Sequence, residues 1–276
     1  MKIDNKLTYT KIPRNLEINR PQGFVKNLSE AETAQPMAHF VQPRGYSKTD
    51  GILSVGLVCV ISGGTTRERD FLTELERKHS FRTLEVIFLS TPKNDGGLTP
   101  RMMRDKYNSI YKNGKLTIGS REVKLENIDS VYMFTDVDHY EEELKEILLS
   151  GHQSQPRWII SNPDFEIWLY YCFCENPETD LAEVCIAKPS SRSSLLKTIN
   201  GRLNNGGGLD PRKAFEHLEE GIMNSKRHYS EQDGFPTVLS TQMHIFAEDV
   251  LMKLGNEYHE FLERIRVAKE NFRLSR

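Results

Sequence analysis

Val131-Tyr132-Met133-Phe134-Thr135-Asp136-Val137-Asp138 is an apolar run that ends on two carboxylates spaced two residues apart. Alternate side chains of a strand share a face, so Asp136 and Asp138 are expected to stand together while Val137 turns into the opposite layer. Two oxygen ligands grouped in this way suit a hard divalent cation, Mg²⁺ or Mn²⁺. The plainer alternative is that one Asp caps the helix expected from about Glu141 and the other is solvated at the strand end.

Upstream, residues 52–61 contain Val55, Leu57, Val58, Val60 and Ile61, which suits a strand buried on both faces. Ser62-Gly63-Gly64-Thr65-Thr66 breaks it, and a helix is expected from about Arg67, with Thr65 or Thr66 as cap and Phe71 and Leu75 inward. Residues 84–89 read as the next strand. Thr99-Pro100 reads as an N-cap and N1 proline before Met103, Tyr107, Ile110 and Tyr111 at helical spacing. Downstream of the Asp-bearing strand, residues 141–149 form a helix with Leu144, Ile147 and Leu148 on one face, and 158–161 another strand. This alternation predicts a parallel sheet with helices on both faces and a ligand crevice at the carboxyl ends of the strands, where Glu68, Asp136 and Asp138 fall.

Asn162-Pro163-Asp164-Phe165-Glu166-Ile167-Trp168 follows the last of these strands, with Asn162 expected as N-cap and Pro163 as N1. Phe165, Trp168, Leu169 and Cys172 form its buried stripe. Glu166 is rotated about 100° from Phe165, free to compensate the helix dipole or to join the acids. Beyond about residue 175 the alternation stops. Residues 189–194 read as a polar connector and 204–209 as a glycine-rich loop. A helix then starts at Asp210-Pro211 with Phe215, Leu218 and Ile222 inward, and two more cover 242–254 and 256–272. Residues 1–50, punctuated by Pro13, Pro21, Pro36 and Pro43, read as an extended arm. The expected organisation is therefore an arm over 1–50, an α/β domain over 51–175 and a helical extension over 176–276.

The chain has 276 residues and a formal net charge of -2, which argues against a bulk electrostatic grip on nucleic acid but not against a local basic groove. Lys188, Arg192, Lys197, Arg202, Arg212, Lys213, Lys226 and Arg227 are concentrated after residue 187. They read as a solvated helical surface or as phosphate contacts, with Lys188, Arg192 and Lys213 the nucleic-acid candidates. Cys59, Cys172, Cys174 and Cys185 lack zinc-ribbon spacing, and Cys172 and Cys174 point about 200° apart on a helix. No secretory leader and no bilayer-length apolar run is read, so a soluble cytoplasmic protein is expected. Gly63-Gly64-Thr65-Thr66 before a helix could cradle a phosphate, but no lysine stands at the P-loop position.

Residues 58–71, Phe134-Thr135-Asp136-Val137-Asp138 and Ile160-Ser161-Asn162-Pro163-Asp164-Phe165-Glu166-Ile167-Trp168 together resemble the RloB family of prokaryotic proteins. Lys213-Ala214 and residues 241–251 extend the likeness over about 53–254. The family is similar to Toprim-type proteins. The resemblance therefore implies a Toprim/Rossmann-like sheet in which a glutamate after the first strand and an Asp-x-Asp pair hold Mg²⁺ or Mn²⁺ and assist phosphodiester transfer. What it implies here is a metal-dependent nuclease acting on DNA or RNA in anti-phage defence. Glu68, Asp136, Asp138 and Glu166 would be catalytic, with Asp136, Asp138 and Glu68 on the metal. A neighbouring ATPase and self-association are the implied partnerships. The family's usual Glu-Gly, then Thr-Glu, is replaced by Ser62-Gly63 and Thr66-Arg67-Glu68. Ser62 cannot act as a carboxylate ligand or base near neutral pH, so a noncatalytic sensor or adaptor stands as the second expectation.

Overall fold

The computed structural model describes residues 55–77, 81–92, 96–138, 140–150 and 156–274. The arm expected over 1–50 lies outside them. The first apolar run forms strand β1 (Gly56–Ser62), buried along its whole length, and helix α1 (Arg67–Glu76) follows. Strand β2 (Leu84–Leu89) and helix α2 (Pro100–Ile110) come next, and the Thr99 side chain caps α2 by accepting the Met102 amide. A small antiparallel meander, β3 (Tyr111–Lys112), β4 (Lys115–Ile118) and β5 (Arg121–Lys124), is inserted before β6 (Ser130–Asp136). Helix α3 (Glu141–Ser150), β7 (Arg157–Ser161) and helix α4 (Glu166–Phe173) complete the alternation.

The four long strands form one parallel sheet in the order β2-β1-β6-β7. The chain leaves β1 toward β2 on one side and returns to pair with β6 on the other. The sheet therefore changes direction between β1 and β6, and their carboxyl ends frame a crevice. Register places Ser62 opposite Phe134, and Asp136 opposite Ser161, so the ends of β1, β6 and β7 lie at one level.

Strand alternation divides the core in two. Val58, Val60, Tyr132, Phe134 and Ile159 face Phe71 and Leu72 of α1, Trp168 of α4, and the later Phe215, Phe246 and Tyr258. Leu57, Cys59, Ile61, Val131 and Met133 face Met103, Tyr107 and Ile110 of α2 and Leu116 and Val123 of the meander. The first layer draws on both sides of residue 175. Its later part comprises short helices α5 (Pro177–Asp180) and α6 (Ala182–Ile186), then α7 (Arg192–Arg202), α8 (Pro211–Ala214), α9 (Leu218–Arg227), α10 (Met243–Leu254) and α11 (Asn256–Leu274). Between α9 and α10, strands β8 (Glu231–Gln232) and β9 (Phe235–Pro236) pair as a hairpin.

Several local expectations are corrected. Helix α4 begins at Glu166 rather than Pro163, because the segment from Asn162 is held by β-like bonds to a later strand-like stretch: Asn162 N–H donates to Ser240 O, and Leu239 N–H to Asn162 O. Thr66 occupies the cap position of α1 without a side-chain capping bond. Tyr111 belongs to β3, and the expected connector at 189–194 is a 3₁₀ turn, Pro189–Ser191, running directly into α7. Among the described residues no helix is long and apolar enough to cross a membrane.

Candidate functional site

The end of β6 carries Asp136, and Val137 and Asp138 extend its bonding beyond the strand: Val137 N–H donates to Ser161 O at 2.9 Å and Asp138 N–H to Pro163 O at 3.1 Å. Val137 is buried with Leu144, Ile160 and Phe235, whereas Asp136 and Asp138 are only partly covered. The two acids are close enough for the charge of Asp138 to raise the proton affinity of Asp136.

Glu68 approaches from α1. It is buried, its carboxylate accepts its own backbone N–H, and it lies over the turn that ends β1. A Cβ built on Gly64 would stand 1.9 Å from both carboxylate oxygens, so Gly64 is the residue that makes room for this carboxylate. Ser62 is fully buried, and its hydroxyl accepts the Gly64 N–H at 3.1 Å, shaping the same turn.

The turn from β7 into α4 adds two acids. Asp164 Oδ1 accepts the Glu166 amide at 3.2 Å, which serves one of the free N–H groups at the start of α4, and Asp164 Oδ2 pairs with Lys197 Nζ of α7 at 2.9 Å. Both Glu166 oxygens accept from Arg67, Nε and Nη2 at 2.8 Å each, and Arg67 Nη2 also donates to Leu209 O at 3.1 Å. Asn200 Nδ2 of α7 donates to Glu166 O at 2.8 Å. The turn is braced behind by Asn162 Nδ2 on Pro236 O and by the Ser161 and Thr241 hydroxyls, each pair 2.8 Å apart.

Glu68, Asp136, Asp138, Asp164 and Glu166 thus converge against the charges of Arg67 and Lys197. Burial, then repulsion from Glu166 and Asp164, pushes the Glu68 carboxyl up to about 7 despite its own backbone bond. Burial, then repulsion from Glu68 and Asp164, holds Asp136 well above the usual carboxylate range. Burial likewise pushes Asp164 up to about 6, against the opposing pull of Lys197. Excess negative charge in a crevice that resists ionisation is the electrostatic condition a cation relieves.

The donor set is all oxygen, which fits a hard divalent cation. Among the described residues, however, no three of the His, Cys, Asp and Glu side chains already close into a metal-holding group. Glu166 and Asp164 are drawn to Arg67 and Lys197, and Glu68 is folded over Gly64. Asp136 and Asp138 would hold a cation with Glu68 only after side-chain rotation.

The sequence candidates Glu68, Asp136, Asp138 and Glu166 therefore meet at one edge of the sheet, with Glu166 already engaged by a cation. Lys188 and Lys213 are exposed, on the approach to the 3₁₀ turn and on α8. Arg192 donates to Ala187 O at 3.2 Å and borders a groove of about 760 Å³ with Lys145, Asn162 and Phe235. Of the basic residues after 187, the one that acts on the acids is instead Lys197, which sequence reading left within a general basic stretch. Arg67 and Asp164 were also missed as site residues, although both lie inside the quoted motifs.

The model of the family described as RloB-like protein matches residues 58–250. That span contains each of the seven charged residues of this site. Comparisons with curated proteins and with solved structures gave no match.

Proposed function

The chain belongs to the RloB-like family, and we propose that it is a Toprim-like, Mg²⁺- or Mn²⁺-dependent nuclease that hydrolyses phosphodiesters in DNA or RNA during anti-phage defence. The observation that carries this reading is the crowding of Glu68 and Asp136 at the switch between β1 and β6, where burial and repulsion from neighbouring carboxylates oppose their ionisation.

In this reading Asp136 and Asp138 hold the cation and Glu68 joins them. The cation, when bound, offsets phosphate charge and lowers the pKa of a water. Glu68, its carboxyl raised to about 7 in the metal-free site, is held as a carboxylate where it completes the cation's shell, and where it stays off the ion it can take and return a proton near neutral pH. Glu166 fixes the Arg67 guanidinium at the rim of the crevice through two bonds. The braced turn at residues 161–166 keeps these groups in place while substrate enters.

Ser62 supports a second reading, a noncatalytic sensor or adaptor partnered with an ATPase. Its hydroxyl is spent on the turn, and no carboxylate occupies that position. Incubation of the purified protein with single- and double-stranded DNA and RNA in Mn²⁺ separates the two. The nuclease reading expects cleavage by the parent and none by Asp138→Ala. A parent inactive on every substrate, alone and with any ATPase encoded beside it, leaves the adaptor reading in its place.

A further inference from the structure

Helix α7 buries two polar residues beside the leucines and isoleucine that it packs on the core. Its buried residues are Ser193, Leu196 and Asn200, and Lys197 lies one turn after Ser193 on the same side. Asn200 clamps the Glu166 carbonyl, and Lys197 pairs with Asp164, so this face is pressed against the turn that carries the acids. The Ser193 hydroxyl, on a residue only 4% exposed, has no hydrogen-bond partner among the described residues. A buried hydroxyl without a partner costs on the order of 1–3 kcal/mol, so this one keeps unused hydrogen-bonding capacity one turn from Lys197.

The Lys197–Asp164 pair is lopsided. The Lys197 side chain is 56% exposed and its partner 3%. The ammonium therefore sits at the mouth of the crevice, tethered from below. It has three donors, and the one described pairing is with Asp164. Its charge reaches past that partner, easing the ionisation of Glu68 and Asp136 as well.

Resting on the nuclease reading above, we propose that Lys197 and Ser193 form a phosphate subsite beside the acids, binding a non-bridging oxygen of the nucleic-acid backbone. Asp164 is the positioning residue that aims Lys197. While the acids are unneutralised, Lys197 serves as their shared counter-ion. Once a divalent cation offsets them, the two remaining ammonium donors turn to the phosphate. Contact of this kind ignores base identity and adds one counterion to those released on binding.

The test is binding of fluorescent single- and double-stranded oligonucleotides in Ca²⁺, read as Kd across a NaCl series. Lys197→Met is expected to weaken binding about tenfold on every base sequence and to flatten the log Kd against log salt slope by about one. Ser193→Ala is expected to weaken it by about threefold with the slope unchanged, Lys197→Arg to restore most of the affinity, and Lys115→Met, on the exposed meander strand β4, to behave as the parent. Mn²⁺ calorimetry on Lys197→Met is expected to show that Asp136 and Asp138 still bind the ion, which a collapsed site would not. Thermal melting checks that each variant is folded, and Ser193→Ala carries the test should Lys197→Met unfold. A Lys197→Met protein with the parent's Kd and slope overturns the subsite, as does a parent that binds no oligonucleotide. Loss of Mn²⁺ binding in the parent would instead count against the metal assignment.

Discussion

Glu68 shows how one buried carboxylate can set both the chemistry and the cost of the site. With its carboxyl raised from an ordinary 4.5 to about 7, it is protonated in the native protein at a pH where the unfolded chain has already released the proton. In metal-free protein at pH 8, Glu68→Gln is therefore expected to be more stable than the parent, by on the order of 1–3 kcal/mol in urea denaturation. The same variant should lose divalent-cation affinity. A Glu68→Gln protein less stable than the parent at pH 8 would show that the carboxylate is held by favourable contacts. Gly64→Ala tests the neighbouring residue, because its Cβ would meet both Glu68 oxygens at 1.9 Å and drive the side chain away. About tenfold weaker Mn²⁺ binding is expected with the fold intact, measured by calorimetry beside circular dichroism. Asp136, Asp138 and Glu68 were legible in the sequence because strand period and the turn after β1 place them. The pairing of Glu166 with Arg67 was not, because a contact across 99 positions in the chain leaves no local periodicity.

At the scale of elements, Arg67 ties α1 to the start of α4 and to the end of the loop after α7. Arg67→Gln leaves a nearly buried carboxylate without its bidentate partner. A loss of about 1–3 kcal/mol is expected in chemical denaturation, discounted because Arg67 itself is partly exposed. A variant as stable as the parent would mean that solvent replaces the pair at no cost. The long strands and α2 followed their sequence patterns closely, since continuous apolar runs and the Thr99-Pro100 start are local signals. The start of α4 did not, because Asn162 is recruited by residues 236–240, far along the chain, and Pro163 O accepts the Asp138 amide. The β3–β5 meander was missed although its signal was present: Asn113-Gly114 adopts positive φ at both positions, the tight-hairpin pattern, between alternating residues. Helix α7 was missed although Leu195, Leu196, Ile199 and Leu203 recur at helical spacing and pack on the core, because the flanking Pro189, Ser190, Ser191, Ser193 and Ser194 read as a connector.

For the molecule as a whole, the raised proton affinities of Glu68, Asp136 and Asp164 couple folding to pH in one direction. Between the ordinary carboxylate range and about 7 the native state holds more protons than the unfolded chain, so stability contributed by these groups is present at low pH and is lost as pH rises toward 7. In chelator, thermal melting is expected to show a lower Tm at pH 8 than at pH 5.5, and excess Mg²⁺ or Mn²⁺ should restore more of it at pH 8, where the acids are ionised. Equal cation effects at the two pH values would place the ion elsewhere. Calorimetry of Mn²⁺ binding at pH 8 to the parent and to Asp136→Asn and Asp138→Asn tests the central claim most directly. The account predicts saturable binding by the parent and its loss, or a weakening of at least about a hundredfold, in each variant. Binding by both variants equal to that of the parent would contradict it and reduce the Asp pair to a structural strand end.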